Sequence, residues 1–191
     1  MNKNQTKVFG IQRTAFFNGK RRVGLDTNIL IKLYSQPSLF DYEQARIFNH
    51  KDTVFTHKIS VWELSQYIIR TKRISEEGAR KEAKEFVKSK NIEAIYVPIS
   101  QEEARNFERE VNQKFQSEGK ITLKCHPPDS IILLGFRKRG INKIISDDES
   151  FRESAKHLGI DTERLPSLDM QVSKQLRFIF NKGKKFYKKK R

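Results

Sequence analysis

Five carboxylates stand where a strand-and-helix fold would bring them together. Asp26 closes the apolar run Val23-Gly24-Leu25, and Asp147 and Asp148 close the run Ile141–Ser146. In open parallel sheets ligands sit beyond the carboxyl ends of the strands, so polar residues at these positions are candidates for chemistry. Two further acids fall in the first turns of apolar helices: Glu63 within Val61-Trp62-Glu63-Leu64, and Asp129 before Ser130-Ile131-Ile132-Leu133-Leu134. Taken singly, each acid has a structural use. Glu63 and Asp129 suit the positive end of a helix, Asp148 a turn or cap, and Asp26 an Asx turn. Taken together, half-buried carboxylates repel one another unless cations neutralise them. Mg²⁺ or Mn²⁺ suits oxygen ligands. One or two such ions, ~3.5–4 Å apart if two, would activate water and stabilise the charge that develops in a phosphodiester displacement.

The elements that must position these acids can be read from the pattern. Arg22–Asp26 and Thr53–His57 are short strands. Ser60 caps a helix with Val61, Leu64 and Ile68 on one face. Ser75 opens a second helix with the stripe Ala79, Ala83, Phe86 and Val87. Ile92–Val97 is strand-like. Ser100, with Glu103 three residues on, forms a capping box before the stripe Ala104, Phe107, Val111, Phe115. Pro127-Pro128 leads into an apolar helix that ends near Gly140. Ile141–Ser146 is a buried strand, Glu149–His157 a short helix closed by Gly159, and Ile160–Leu165 a last strand. A helix beyond Pro166 presents Leu168, Val172, Leu176 and Ile179. Alternating strands and helices predict an α/β three-layer sandwich, Rossmann-like, with a mostly parallel central sheet.

Charge divides the 191 residues into three parts. The net formal charge is +16, yet residues 1–22 hold six basic and no acidic residues, and residues 174–191 hold nine basic and no acidic ones. The middle is close to neutral. This predicts a basic extension over 1–21, a domain over 22–173 and a basic arm over 174–191. Lys182, Lys184, Lys185, Lys188, Lys189, Lys190 and Arg191 alternate with Phe186 and Tyr187, a mixture that suits single-stranded nucleic acid; a solvated tail is the plainer use. Arg137, Lys138 and Arg139 are a second candidate patch for RNA, or a complement to a helix C-terminus.

Several classes are excluded or weakened. One cysteine, Cys125, allows no intramolecular disulfide and no Cys-rich zinc module. His50, His57, His126 and His157 lack metal-ligand spacing; His57 and His126 lie near the candidate site loops, as ordinary loop residues or as contacts to RNA. There is no Gly-rich phosphate loop. Asn28 stands where a phosphatase of the haloacid dehalogenase type would need its second acid. No apolar run approaches the ~18 residues of a membrane span, and no apolar stretch follows the N-terminal lysines as in a signal peptide. The expectation is a soluble, cytoplasmic protein.

The pieces Leu25-Asp26-Thr27-Asn28, Val61-Trp62-Glu63-Leu64, Pro128-Asp129-Ser130-Ile131-Ile132 and Ser146-Asp147-Asp148-Glu149-Ser150-Phe151, in this order, resemble the PIN-domain ribonucleases. The resemblance spans about residues 22–165. It implies a PIN-like fold and Mg²⁺- or Mn²⁺-dependent cleavage of RNA at Asp26, Glu63, Asp129 and Asp148, acting as metal ligands and catalytic acids. It sets Ser146, Asp148 and Phe151 on the family's Thr/Ser-x-Asp-x-x-Phe piece, with Asp147 at the variable position. Thr27, Asn28 and Ser146 would orient carboxylates or a bound water, with Asp147 beside them. Compact relatives are VapC-like toxins that form homodimers and are held by an antitoxin protein. The basic arms set this chain apart and leave room for an RNA-processing role. Two rivals stand beside this reading: a non-catalytic RNA-binding protein that uses its arms, and a structure-specific DNA nuclease of PIN-like fold. Against the first, carboxylates repel phosphate unless metals intervene.

Overall fold

The computed structural model describes residues 21–36 and 52–165. The elements run β1 (Arg22–Leu25), α1 (Thr27–Ser35), β2 (Thr53–His57), α2 (Lys58–Lys72), α3 (Glu76–Ser89), β3 (Ile92–Ile95), α4 (Gln101–Ser117), α5 (Asp129–Lys138), β4 (Lys143–Ile145), α6 (Glu149–His157) and β5 (Asp161–Glu163). The sheet order is β3-β2-β1-β4-β5, and every pairing is parallel.

Period-two alternation splits the core between two faces. Val23, Leu25 and Ile145 point to one face and pack with Ile29, Leu30 and Leu33 of α1, Leu64 and Ile68 of α2, and Ala79, Ala83 and Val87 of α3. Phe55, Ile95 and Ile144 point to the other, against Phe107, Val111 and Phe115 of α4, Phe136 of α5 and Phe151 of α6. Helices on both faces explain why the strands lack polar alternation. Gly24 is where the second layer comes closest: a Cβ there would lie 2.9 Å from Cε2 of the buried Phe136 ring.

This is the predicted three-layer α/β sandwich, and its sheet is parallel throughout. Thr53–His57 and Glu149–His157 form as predicted, and the helix behind Ser75 carries its expected stripe. Four details differ. Residues 27–35 form a helix that the pattern does not predict, because the run Ile29-Leu30-Ile31 hides its period. The helix after β2 starts at Lys58, and His57 caps it; Ser60 lies inside the first turn, fully buried. Glu63 is therefore in the second turn, not the first. Half of the capping box forms: the Ser100 hydroxyl accepts the Glu103 N–H at 3.1 Å, but the Glu103 carboxylate takes the Lys138 ammonium at 2.8 Å instead. The three later strands are shorter than predicted. The basic extension, the basic arm and the helix beyond Pro166 lie outside the described residues. Among the described residues, no helix is long and apolar enough to cross a membrane.

Candidate functional site

The strand order dictates where a site belongs. From β1 the chain winds outward through β2 and β3, then crosses back to β4 and β5 on the other side. The crevice between the carboxyl ends of β1 and β4 is the switch point of the sheet. Asp26 directly follows β1, and Ser146, Asp147 and Asp148 directly follow β4.

Asp26 is 5% exposed and caps α1. One carboxylate oxygen accepts the Thr27 N–H at 2.6 Å. The other accepts the Ser146 hydroxyl at 2.7 Å and the Asn28 side-chain amide at 2.8 Å. Ser146 is the hub that ties the two strand ends together. Its oxygen also accepts from Asn28 at 3.2 Å and from the Asp148 N–H at 3.0 Å. Asn28 in turn accepts the Asp147 N–H at 3.3 Å. Asp148 caps α6, accepting the Phe151 N–H at 2.8 Å. The cap orients its carboxylate, which stays exposed at the mouth of the crevice. Glu63 reaches in from α2 and accepts the Thr27 hydroxyl. Asp129 is the first residue of α5, behind the cis peptide Pro127-Pro128.

Electrostatics shows that the four acids share one space. Burial pushes the Asp26 carboxyl up to about 6, against stabilising bonds from Ser146 and Thr27, and repulsion from Asp148 and Glu63 adds to it. Burial pushes Asp129 up to about 7, with repulsion from Asp26, Asp148 and Glu63. Among the described residues, the charges that bear on these two groups are negative. Lys32 of α1 forms an ion pair with Asp147.

The donor set is all oxygen and anionic, which suits a hard divalent cation. Among the described residues, no three His, Cys, Asp or Glu side chains close into a ready-made ligand cage. The acids fit an ion that keeps several of its waters and uses few direct carboxylates, as Mg²⁺ does.

Thr27, Asn28, Ser146 and Asp147 all join the network around the acids. Arg137, Lys138 and Arg139 do not: they lie at the far end of α5 from Asp129, where Lys138 pairs with Glu103. The lysines and arginine of residues 182–191 lie outside the described residues. Two participants were missed. Lys32 sits one turn beyond Asn28 on the unpredicted helix. Arg152 is buried and donates to the Ser146 carbonyl at 3.0 Å, holding the end of β4 from behind. A polar residue one helical turn past the capping Asp148 was the available signal. His57 is fully buried rather than in a loop; its Nδ1 accepts the Ile59 N–H at 3.2 Å, and burial pushes it down to about 4. Cys125 is buried, and burial pushes its thiol up to about 12, far from a nucleophile.

A parallel three-layer sandwich with acids converging at its switch point defines a class, and comparison supplies the family. The PIN domain model matches residues 23–157. The chain belongs to the PIN domain family, whose members are generally nucleases. Among solved structures it is similar to VapBC2 from Rickettsia felis bound to a DNA fragment from their promoter (16% identity, TM-score 0.51), covering 75% of this chain and 98% of that one. It is similar also to VapBC-1 from nontypeable Haemophilus influenzae (14% identity, TM-score 0.51), covering 75% of this chain and 97% of that one. At such identities the likeness concerns the fold. No curated protein matches the chain.

Proposed function

We propose that the protein is a metal-dependent ribonuclease that hydrolyses phosphodiester bonds, with Mg²⁺ or Mn²⁺ held by Asp26, Glu63, Asp129 and Asp148. The observation that carries this reading is the burial of Asp26 and the half-burial of Asp129 among other acids, the charges that bear on them among the described residues being negative. A fold gains nothing from such repulsion; a cation site does. The bound ion would supply Lewis-acid polarisation of the phosphate and a water activated for attack.

The protein's own groups hold the geometry. Ser146 and Asn28 aim one oxygen of Asp26, and the Thr27 N–H fixes the other. The Thr27 hydroxyl points Glu63 towards the same crevice. The Phe151 N–H orients Asp148. Asp147, paired with Lys32, stands at the rim. Outer groups of this kind typically matter 10- to 100-fold in metal affinity or activity.

RNA is the proposed substrate, with the basic segments at both ends of the chain giving salt-dependent affinity. The role is toxin-like or RNA-processing; an antitoxin-type protein partner and a homodimer belong to the toxin-like form. The test is cleavage of mixed single-stranded RNA by the wild type, Asp26→Asn and Asp129→Asn, with Mg²⁺, with Mn²⁺ and with chelator. Cutting that needs metal and is lost in both variants is expected. Metal-independent cutting, or full activity in either variant, would overturn the assignment. A single-stranded DNA of the same sequence, run alongside, separates the ribonuclease from a DNA nuclease.

A further inference from the structure

The two exposed aromatic side chains among the described residues flank one lysine beside the acids. Lys58 is the first residue of α2, and Trp62, 52% exposed, lies one turn on along the same helix face. Tyr96, 60% exposed, directly follows β3. The Lys58 ammonium stands 5.9 Å from the centre of the Tyr96 ring. The buried His57 imidazole lies 6.3 Å from the same ring between centres, its plane tilted by 41°.

The strand register fixes where this group sits. Leu25 pairs with Thr56, and His57 with Ile95, so Tyr96 emerges at the same carboxyl edge of the sheet as Asp26, two strands along. Two inter-strand spacings are about 10 Å. Glu63, the acid contributed by α2, is the residue next to Trp62. The aromatic group and the acids therefore open to solvent on one edge.

We propose that Trp62, Lys58 and Tyr96 form a base-stacking platform for single-stranded RNA, holding a nucleotide next to the one whose phosphate lies at the acids. This deepens the ribonuclease reading and rests on it. The chemistry matches: flat apolar faces for a base, and a cation for the adjoining phosphate, at a site whose own acids repel phosphate. Among the described residues the Lys58 ammonium meets the Tyr96 ring and no carboxylate, so its charge remains available to a ligand. Stacking does not read base edges, so the platform holds any unpaired base and rejects a duplex, whose bases are already stacked.

Trp62 is the single tryptophan of the chain, so its emission reports on this surface alone. The experiment titrates the 191-residue protein in chelator with a short mixed-sequence single-stranded RNA, the same RNA annealed to its complement, and an abasic strand of equal length. Saturable quenching by the single strand only is expected. Tyr96→Ala should weaken its Kd by roughly 5- to 150-fold, and Tyr96→Phe should restore it. Lys58→Ala should lower the log–log salt slope by about 0.7. Equal quenching by the abasic strand, or an unchanged Kd in Tyr96→Ala with native circular dichroism, would overturn the platform. So would emission that changes with protein concentration alone, which would mean that a second copy covers this face. Cleavage assayed in parallel separates the two readings. Metal-dependent cutting without quenching leaves the nuclease and removes the platform; quenching without cutting leaves a binding surface and removes the nuclease.

Discussion

Replacing Asp26 with Asn should make the protein inactive and, above pH 6, more stable. The Asp26 carboxyl titrates near 6 in the fold against an ordinary 3.8, a difference of about two units, or about 3 kcal/mol. The folded state therefore binds the proton more tightly than the unfolded chain. Stability associated with that proton is fully present below pH 3.8 and is lost as pH rises through about 6. Asn removes the charge and keeps the cap, since Asn caps a helix as well as Asp does. It also turns an amide towards the Ser146 hydroxyl and the Asn28 amide, which now donate to one oxygen of Asp26 at 2.7 and 2.8 Å, and so sacrifices two hydrogen bonds at about 1 kcal/mol each. The net gain at pH 8 is about 1 kcal/mol, which for a chain of this size raises Tm by about 2–4 °C. The assay is thermal unfolding of both proteins in chelator from pH 4 to pH 8. The variant should start level with or below the wild type, overtake it between pH 4 and 6, and hold its lead above that. Added Mg²⁺ should narrow the lead, because an ion that neutralises the acids stabilises the wild type more. A Tm difference that stays constant across the whole range would refute the argument that buried, repelled charge sits at this position.

Three further substitutions probe the frame around the site. Ser60→Ala should be neutral or slightly stabilising, because the buried hydroxyl finds no hydrogen-bond partner among the described residues; a loss of about 1 kcal/mol in a denaturant melt would restore Ser60 as the cap. Gly24→Ala should cost about 1–3 kcal/mol, since its Cβ would meet the Phe136 ring at 2.9 Å, and an unchanged Tm would show that α5 yields easily. Ser146→Ala removes the hub between Asp26, Asn28 and the Asp148 N–H, and should lower cleavage 10- to 100-fold while the fold persists, which kinetics and circular dichroism together would check.

The sequence by itself determined the layers and the edge at which chemistry gathers. Strand and helix periods survive in single-chain text because each core-facing residue repeats at two or at three to four positions. Apolar runs that end in Asp26 and in Asp147-Asp148 marked the carboxyl ends of β1 and β4 for the same reason. Where the period was masked, reading failed: the β-branched start of α1 resembles a continuing strand, so Lys32 had no place. Caps were legible where one hydroxyl fitted, as at Ser75 and Ser100, and not where a buried His57 outcompeted Ser60. Only the tertiary structure decided the partners. That β1 neighbours β4 is a matter of strand order, and it alone turns Ser146 into the link between Asp26 and Asp148. That Thr27 holds Glu63, and that Arg152 holds the Ser146 carbonyl, depends on how helices pack across the sheet. Such contacts join residues as many as 120 positions apart, and no local period records them.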